Sequence, residues 1–77
     1  MNLIILSPEK EIFSGNATSV KVPGAAGQFE VLNNHAPLLS ALSAGEIRVL
    51  NGAERTTFDI GGGFIEVLNN SVSITCN

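Results

Sequence analysis

Apolar and polar residues alternate in short runs along the chain, and each run ends at a turn signal. Successive side chains of a strand face opposite sides, so this alternation marks half-buried β-strands. Leu3–Leu6 is a β-type run stopped at Ser7-Pro8, because proline has no N–H to give a sheet ladder. Glu9–Glu11 could begin a helical turn, but Ile12-Phe13 followed by Ser14-Gly15 suits another short strand. In Ala17–Val22, Thr18, Val20 and Val22 are expected on one face, Ser19 and Lys21 on the other, with Pro23-Gly24 closing the strand. Gln28–Leu32 repeats the pattern, with Phe29 and Val31 on one side and Gln28, Glu30 and Leu32 on the other. Asn33-Asn34 then turns the chain, since Asn tolerates the left-handed backbone region, and Pro37 holds Ala36 extended.

Leu38–Leu42 is apolar enough to be strand or helix; its short length and strand-rich surroundings favour strand. Glu46–Leu50 alternates with Ile47 and Val49 inward, and Asn51-Gly52 is a strong type I′ hairpin signal. Arg55–Ile60 puts Phe58 and Ile60 on one face, and Gly61-Gly62-Gly63 bends the chain. Phe64–Leu68 and Val72–Thr75 are the last strands, joined by a hairpin turn at Asn69-Asn70. No stretch carries a helical repeat of useful length. Roughly eight to ten short, closely spaced strands imply an all-β sandwich or barrel.

Composition narrows what such a fold can do. At 77 residues the chain is read as a single domain, residues 1–77. A domain of this size buries only about 60% of the surface its unfolded chain exposes, so its stability depends on close packing or on docking. The net charge is −3, and the basic residues Lys10, Lys21, Arg48 and Arg55 are scattered. That argues against nucleic acid and against anionic lipid. The absence of Trp and Tyr removes the usual stacking surface for RNA. Cys76 is alone, so no internal disulfide forms, which fits a reducing compartment. The apolar run at Leu3–Leu6 is too short for a signal-peptide core or a membrane span, and the expected location is cytosolic. Asn16-Ala17-Thr18 and Asn69-Asn70-Ser71 match the glycosylation pattern but, without an export signal, read as turns.

Candidate chemistry is sparse. His35 and Cys76 would have to supply base and nucleophile, yet Cys76 is the penultimate residue, where rigid positioning is hard. One His and one Cys do not make a zinc site without carboxylates. The acidic residues Glu9, Glu11, Glu30, Glu46, Glu54, Asp59 and Glu66 fall mostly on polar strand faces or in loops, where solvation is the default. The Gly61–Gly63 run lies between strands and lacks the helix N-terminus that gives a phosphate loop its strength, so it reads as a bend or close approach. His35 beside Asn33-Asn34 reads first as a local backbone contact and second as a partner contact. Binding or scaffolding suits such a chain better than catalysis.

Several stretches carry a resemblance. They are Ser7-Pro8-Glu9 with Ile12-Phe13-Ser14-Gly15; Val20-Lys21-Val22-Pro23-Gly24; Gly27-Gln28-Phe29 leading to His35-Ala36-Pro37-Leu38-Leu39; Gly45-Glu46-Ile47-Arg48; and Gly62-Gly63-Phe64-Ile65-Glu66-Val67. In order and spacing the chain resembles the N-terminal domain of the epsilon subunit of F-type ATP synthases (delta in mitochondrial naming). The resemblance implies a ten-stranded sandwich of two five-stranded sheets at the foot of the central stalk. It implies a rotor subunit that binds the gamma subunit and the loops of the c-ring and couples ion flow to ATP synthesis. It also implies no catalysis and no cofactor, and a peripheral position at the cytoplasmic face of a bacterial plasma membrane.

Carried over by residue, the c-ring contact falls on Gln28, Glu30, Asn33, Asn34 and His35, and the gamma contact on Ser7, Ser40 and Gly45. Family members usually have an acidic residue where Gln28 stands, and Pro-Gly where Asn33-Asn34 stands. The first departure removes a charge contact that Glu30 could replace; the second keeps positive φ accessible through Asn34. Many members continue into a C-terminal helical hairpin that restrains ATP hydrolysis and in some binds ATP. With the sequence ending at Asn77, the expectation is a polypeptide without these functions. The alternative reading is a free-standing small-molecule-binding β protein, which needs a closed cavity with converging polar groups.

Overall fold

The computed structural model describes residues 1–77. Nine strands form: β1 (Asn2–Leu6), β2 (Glu11–Asn16), β3 (Ser19–Gly24), β4 (Gly27–Leu32), β5 (Leu38–Leu42), β6 (Gly45–Asn51), β7 (Glu54–Ile60), β8 (Gly63–Leu68) and β9 (Ser71–Cys76). They make one curled sheet that folds over into two layers. The wide layer runs β2-β1-β9-β8-β5 and the narrow layer β4-β3-β6-β7, joined where Gly24 of β3 meets Leu42 of β5. All neighbours are antiparallel except β1 and β9. The count is nine rather than ten, and the narrow layer has four strands rather than five. The longest connection, residues 33–37, does not pair. His35 N–H bonds back to the Leu32 carbonyl (3.2 Å), closing a turn, and Pro37 has no N–H to offer a ladder.

The faces read from the alternation at Val20, Val22, Val31, Ile47 and Val49 are inward, as expected, and the first and last strands add to them. Leu3, Ile5, Val20, Val22, Val31, Ile47, Val49, Ile65, Val67, Val72 and Ile74 are buried between the layers. Phe13 of β2 meets Phe58 of β7 edge to face at 5.8 Å, closing one flank. Each fully buried aliphatic side chain contributes about 1.5–3 kcal/mol, so a chain this short relies on nearly all of them.

Three local expectations are corrected. First, β3 does not stop at Pro23-Gly24 but continues through both. Pro23 needs no N–H there, and its carbonyl accepts from Ser43 N–H at 2.8 Å. Second, Thr18 does not face the core. Exposed beside β3, it donates its hydroxyl to the Leu50 carbonyl (3.1 Å) and accepts from Gly52 N–H (3.3 Å). Ser19, expected on the polar side, is buried there between its cross-strand neighbours Leu32 and Leu50. Third, the β6–β7 turn is centred on Gly52-Ala53, closed by the Asn51–Glu54 pair. Only Gly52 of that turn has positive φ, which matches type II′ and not type I′. The type I′ pattern occurs instead at Asn69 (φ 50°) and Asn70 (φ 60°) between β8 and β9.

Candidate functional site: two outer faces and two ends

The strand register sorts the expected contact residues between the two ends of the sandwich. Gln28 sits beside the β3–β4 turn, opposite Pro23, at the end where Gly24 meets Leu42. Asn33, Asn34 and His35 lie past the other end of β4. Five residues of strand at about 3.3 Å each separate Gln28 from Asn33 by about 16 Å. Glu30 lies between them on the outer face, opposite Lys21, and its carboxylate accepts from the Ser19 hydroxyl.

The polar groups of the Asn33–His35 turn are engaged within the chain. Asn33 Oδ1 accepts from the Met1 amine at 2.7 Å, and Asn34 N–H donates to Asn70 Oδ1 at 2.8 Å. Asn34 holds φ at 62°, the left-handed conformation that its side chain tolerates. His35 Nδ1 lies 2.7 Å from the Ala36 carbonyl, so this nitrogen carries the proton in that bond. His35 thus makes the local backbone contact expected of it. Cys76 lies at the opposite end, paired with Gly63 and buried, so the two do not form a dyad. Burial also pushes the Cys76 thiol above its ordinary value, away from thiolate chemistry.

The residues expected to face gamma lie on three separate parts of the chain, Ser7 and Gly45 both toward the end where Gly24 meets Leu42. Ser7 closes the β1–β2 turn, with Ser7 N–H donating to the Lys10 carbonyl at 2.9 Å. Ser40 is half-buried in β5 opposite Ile65 and donates to the Ala41 carbonyl. Gly45 begins β6, where an added Cβ would stand 2.9 Å from Pro23 Cβ. Close packing by itself therefore accounts for glycine at that position. In Gly61–Gly63, a Cβ at Gly63 would collide with the Thr75 carbonyl of β9. This run is the close backbone approach, not a phosphate cradle.

A surface not singled out from the sequence lies on the outer face of the wide layer. Leu39 is 73% exposed, Phe64 60% and Leu68 50%. Ala41 stands directly opposite Phe64, and Leu39 directly opposite Glu66. Across β1, β9, β8 and β5, Glu66 is the only charged residue. The signal was present in the sequence. Phe64–Leu68 is apolar on both faces save for Glu66, and Leu38–Leu42 save for Ser40; strands apolar on both sides are covered on both sides. The largest depression, about 420 Å³, is also on this outer face, along Asn2, Ile4, Ser14, Asn16, Ser71 and Ser73. It is a surface groove and not a cavity within the sandwich.

These features define a small β-sandwich with one apolar, charge-poor face, which is the layout of a docking module. The whole chain, residues 1–77, matches the family described as ATP synthase, Delta/Epsilon chain, beta-sandwich domain. It belongs to that family. It is 42% identical over 74 residues to the ATP synthase epsilon chain of Leptospira borgpetersenii serovar Hardjo-bovis, covering 96% of this chain and 58% of that relative. It is 45% identical over 67 residues to the ATP synthase epsilon chain of Caulobacter vibrioides, covering 87% of this chain and 78% of the relative. The fold is similar to a chain in the Tetrahymena thermophila mitochondrial ATP synthase central stalk and c-ring structure, with a TM-score of 0.83 at 16% identity, covering 97% of this chain and 61% of that one.

Proposed function

We propose that residues 1–77 act as a single rigid domain of the rotor of an ATP synthase. The charge-poor outer face of the wide layer is seated on a gamma-type subunit, and the Gln28 end meets the loops of the c-ring. The domain transmits torque between these partners, so that ion flow drives ATP synthesis on other subunits, and performs no chemistry itself. Its place is peripheral, at the cytoplasmic face of a bacterial plasma membrane. The observation that carries this reading is the apolar surface of Leu39, Ala41, Phe64 and Leu68, concentrated on one face of an epsilon-type sandwich. Adjacent strands in a close-packed two-layer core resist deformation, which suits an element loaded between two partners.

The choice of end rests on hydrogen bonding. Asn33, Asn34 and His35 make intrachain bonds that a partner would have to displace. Gln28, with exposed Ala25 and Ala26 beside it, has no such bond to give up. Co-purification of the chain with gamma and the c-ring from assembled rotor tests the proposal. Stable capture of both is expected; a chain that stays monomeric while the rest of the rotor assembles would overturn it.

A further inference from the structure

We infer that Glu66 marks the seat of one cationic side chain, arginine or lysine, on the subunit that covers the apolar face. The inference rests on the docking reading above and specifies the chemistry of the partner's surface.

Glu66 points outward from β8 between buried Ile65 and Val67. Its cross-strand neighbours are Leu39 of β5 and Ser73 of β9, and Phe64 and Leu68 flank it along its own strand. The chain's four basic residues are all elsewhere. Lys21, Arg48 and Arg55 lie in the narrow layer, and Lys10 is in the β1–β2 turn. No intrachain cation is therefore placed to neutralise Glu66 when water is removed.

An apolar partner pressed onto this face would strand a desolvated carboxylate, which is costly unless it is paired and hydrogen-bonded. A depression of about 280 Å³ opens beside it, lined by Pro37, Leu38, Leu39, Glu66, Val67 and Leu68. Apolar walls with a single carboxylate suit a long cationic side chain, whose stem packs while its head is paired. The partner is thus a protein surface, apolar over β5 and β8, with one basic residue opposite Glu66. The carboxylate also excludes partners that are apolar throughout, which makes it a specificity device.

The test uses the full chain and the gamma-containing rotor subcomplex, with dissociation constants measured by surface plasmon resonance at low and high salt. Wild-type binding is the control for the docking reading, and its failure would overturn that reading. Glu66→Gln should bind about thirtyfold more weakly, the cost of removing one member of a desolvated charge pair. Glu66→Lys should bind more weakly still, and a basic-to-acidic substitution on the partner's docking surface should restore it. Because Glu66 is exposed, both variants should keep the wild-type circular dichroism spectrum, and Glu66→Thr, a good strand residue, serves as a second neutral variant. Wild-type binding with Glu66→Gln and Glu66→Thr within twofold of it, or no partner substitution rescuing Glu66→Lys, overturns the inference while leaving the docking reading intact.

Discussion

The two outer faces of the sandwich are built by the same alternation and differ in almost everything else. The narrow layer presents Lys21, Glu30, Glu46, Arg48, Arg55 and Asp59, with Leu32 as its one large exposed apolar side chain. The wide layer presents Leu39, Ala41, Phe64 and Leu68 around Glu66. The charges of the narrow face mix attraction with repulsion. Lys21 stands between Glu30 on one side and Arg48 on the other, and Glu46 stands directly opposite Asp59. Arg48 Nε is shielded from water without a hydrogen-bond partner. Like charges across a strand pair destabilise, and an unpaired shielded donor adds a further cost. The charged face is therefore read as solvated, and the apolar face as the one organised for contact.

The contrast breaks most completely if the apolar face is made polar. Leu39→Asp combined with Phe64→Asp should weaken rotor binding about a thousandfold, as loss of two central anchors does. The exposed positions should leave the fold intact, with binding followed by surface plasmon resonance and fold by circular dichroism. On the other face, Arg55→Glu should change binding by no more than about twofold. An equally large loss from Arg55→Glu would remove the distinction between the faces.

A smaller effect comes from the joint beneath the apolar face. Gly63 holds φ at 153°, and a Cβ there would meet the β9 backbone at Thr75 and Cys76. Gly63→Ala should cost about 2–3 kcal/mol in urea unfolding, because β8 cannot then approach β9. The turn at the other end of the same hairpin offers a milder test. Asn69→Ala should cost about 1–2 kcal/mol by placing a residue that resists positive φ in a type I′ turn, and Asn69→Gly should recover most of it.

Alkaline titration tests the wide layer through Cys76. Burial raises this thiol above its ordinary 9.0, so the folded state retains the proton that the unfolded state releases. The associated stability is complete below pH 9.0 and is lost as pH climbs through the raised folded value. Urea midpoints should fall over that window in the wild type and fall less in Cys76→Val. The smallest effect expected is on the narrow face. Asp59→Lys converts the Glu46 pair from repulsion to attraction and should raise stability by about 0.2–1 kcal/mol, seen as a higher melting temperature with rotor binding unchanged.

Much of this was legible in the order of residues. Alternation set Val20 with Val22, Phe29 with Val31, Ile47 with Val49 and Phe58 with Ile60 on shared faces, and the Pro and Gly signals marked most turns. What failed was local. Thr18 departs from the alternation because it lies before β3, where its hydroxyl bonds Leu50 and Gly52. The turn type at Asn51-Gly52 depends on which pair closes the hairpin, and pairing is a property of two strands. The ten-strand count came from the resemblance, and nine strands form here.

By itself, then, the sequence determined an all-β sandwich or barrel, the inward faces of several strands and an epsilon-type family likeness that implied the sandwich, because strand period and turn chemistry act over a few residues. Only the tertiary structure decided where the outward-facing residues meet. It set β5 beside β8, fusing Leu39, Phe64 and Leu68 into one surface around Glu66. It also sent Gln28 and His35 to opposite ends of the molecule, since an extended strand separates residues that the sequence lists almost together.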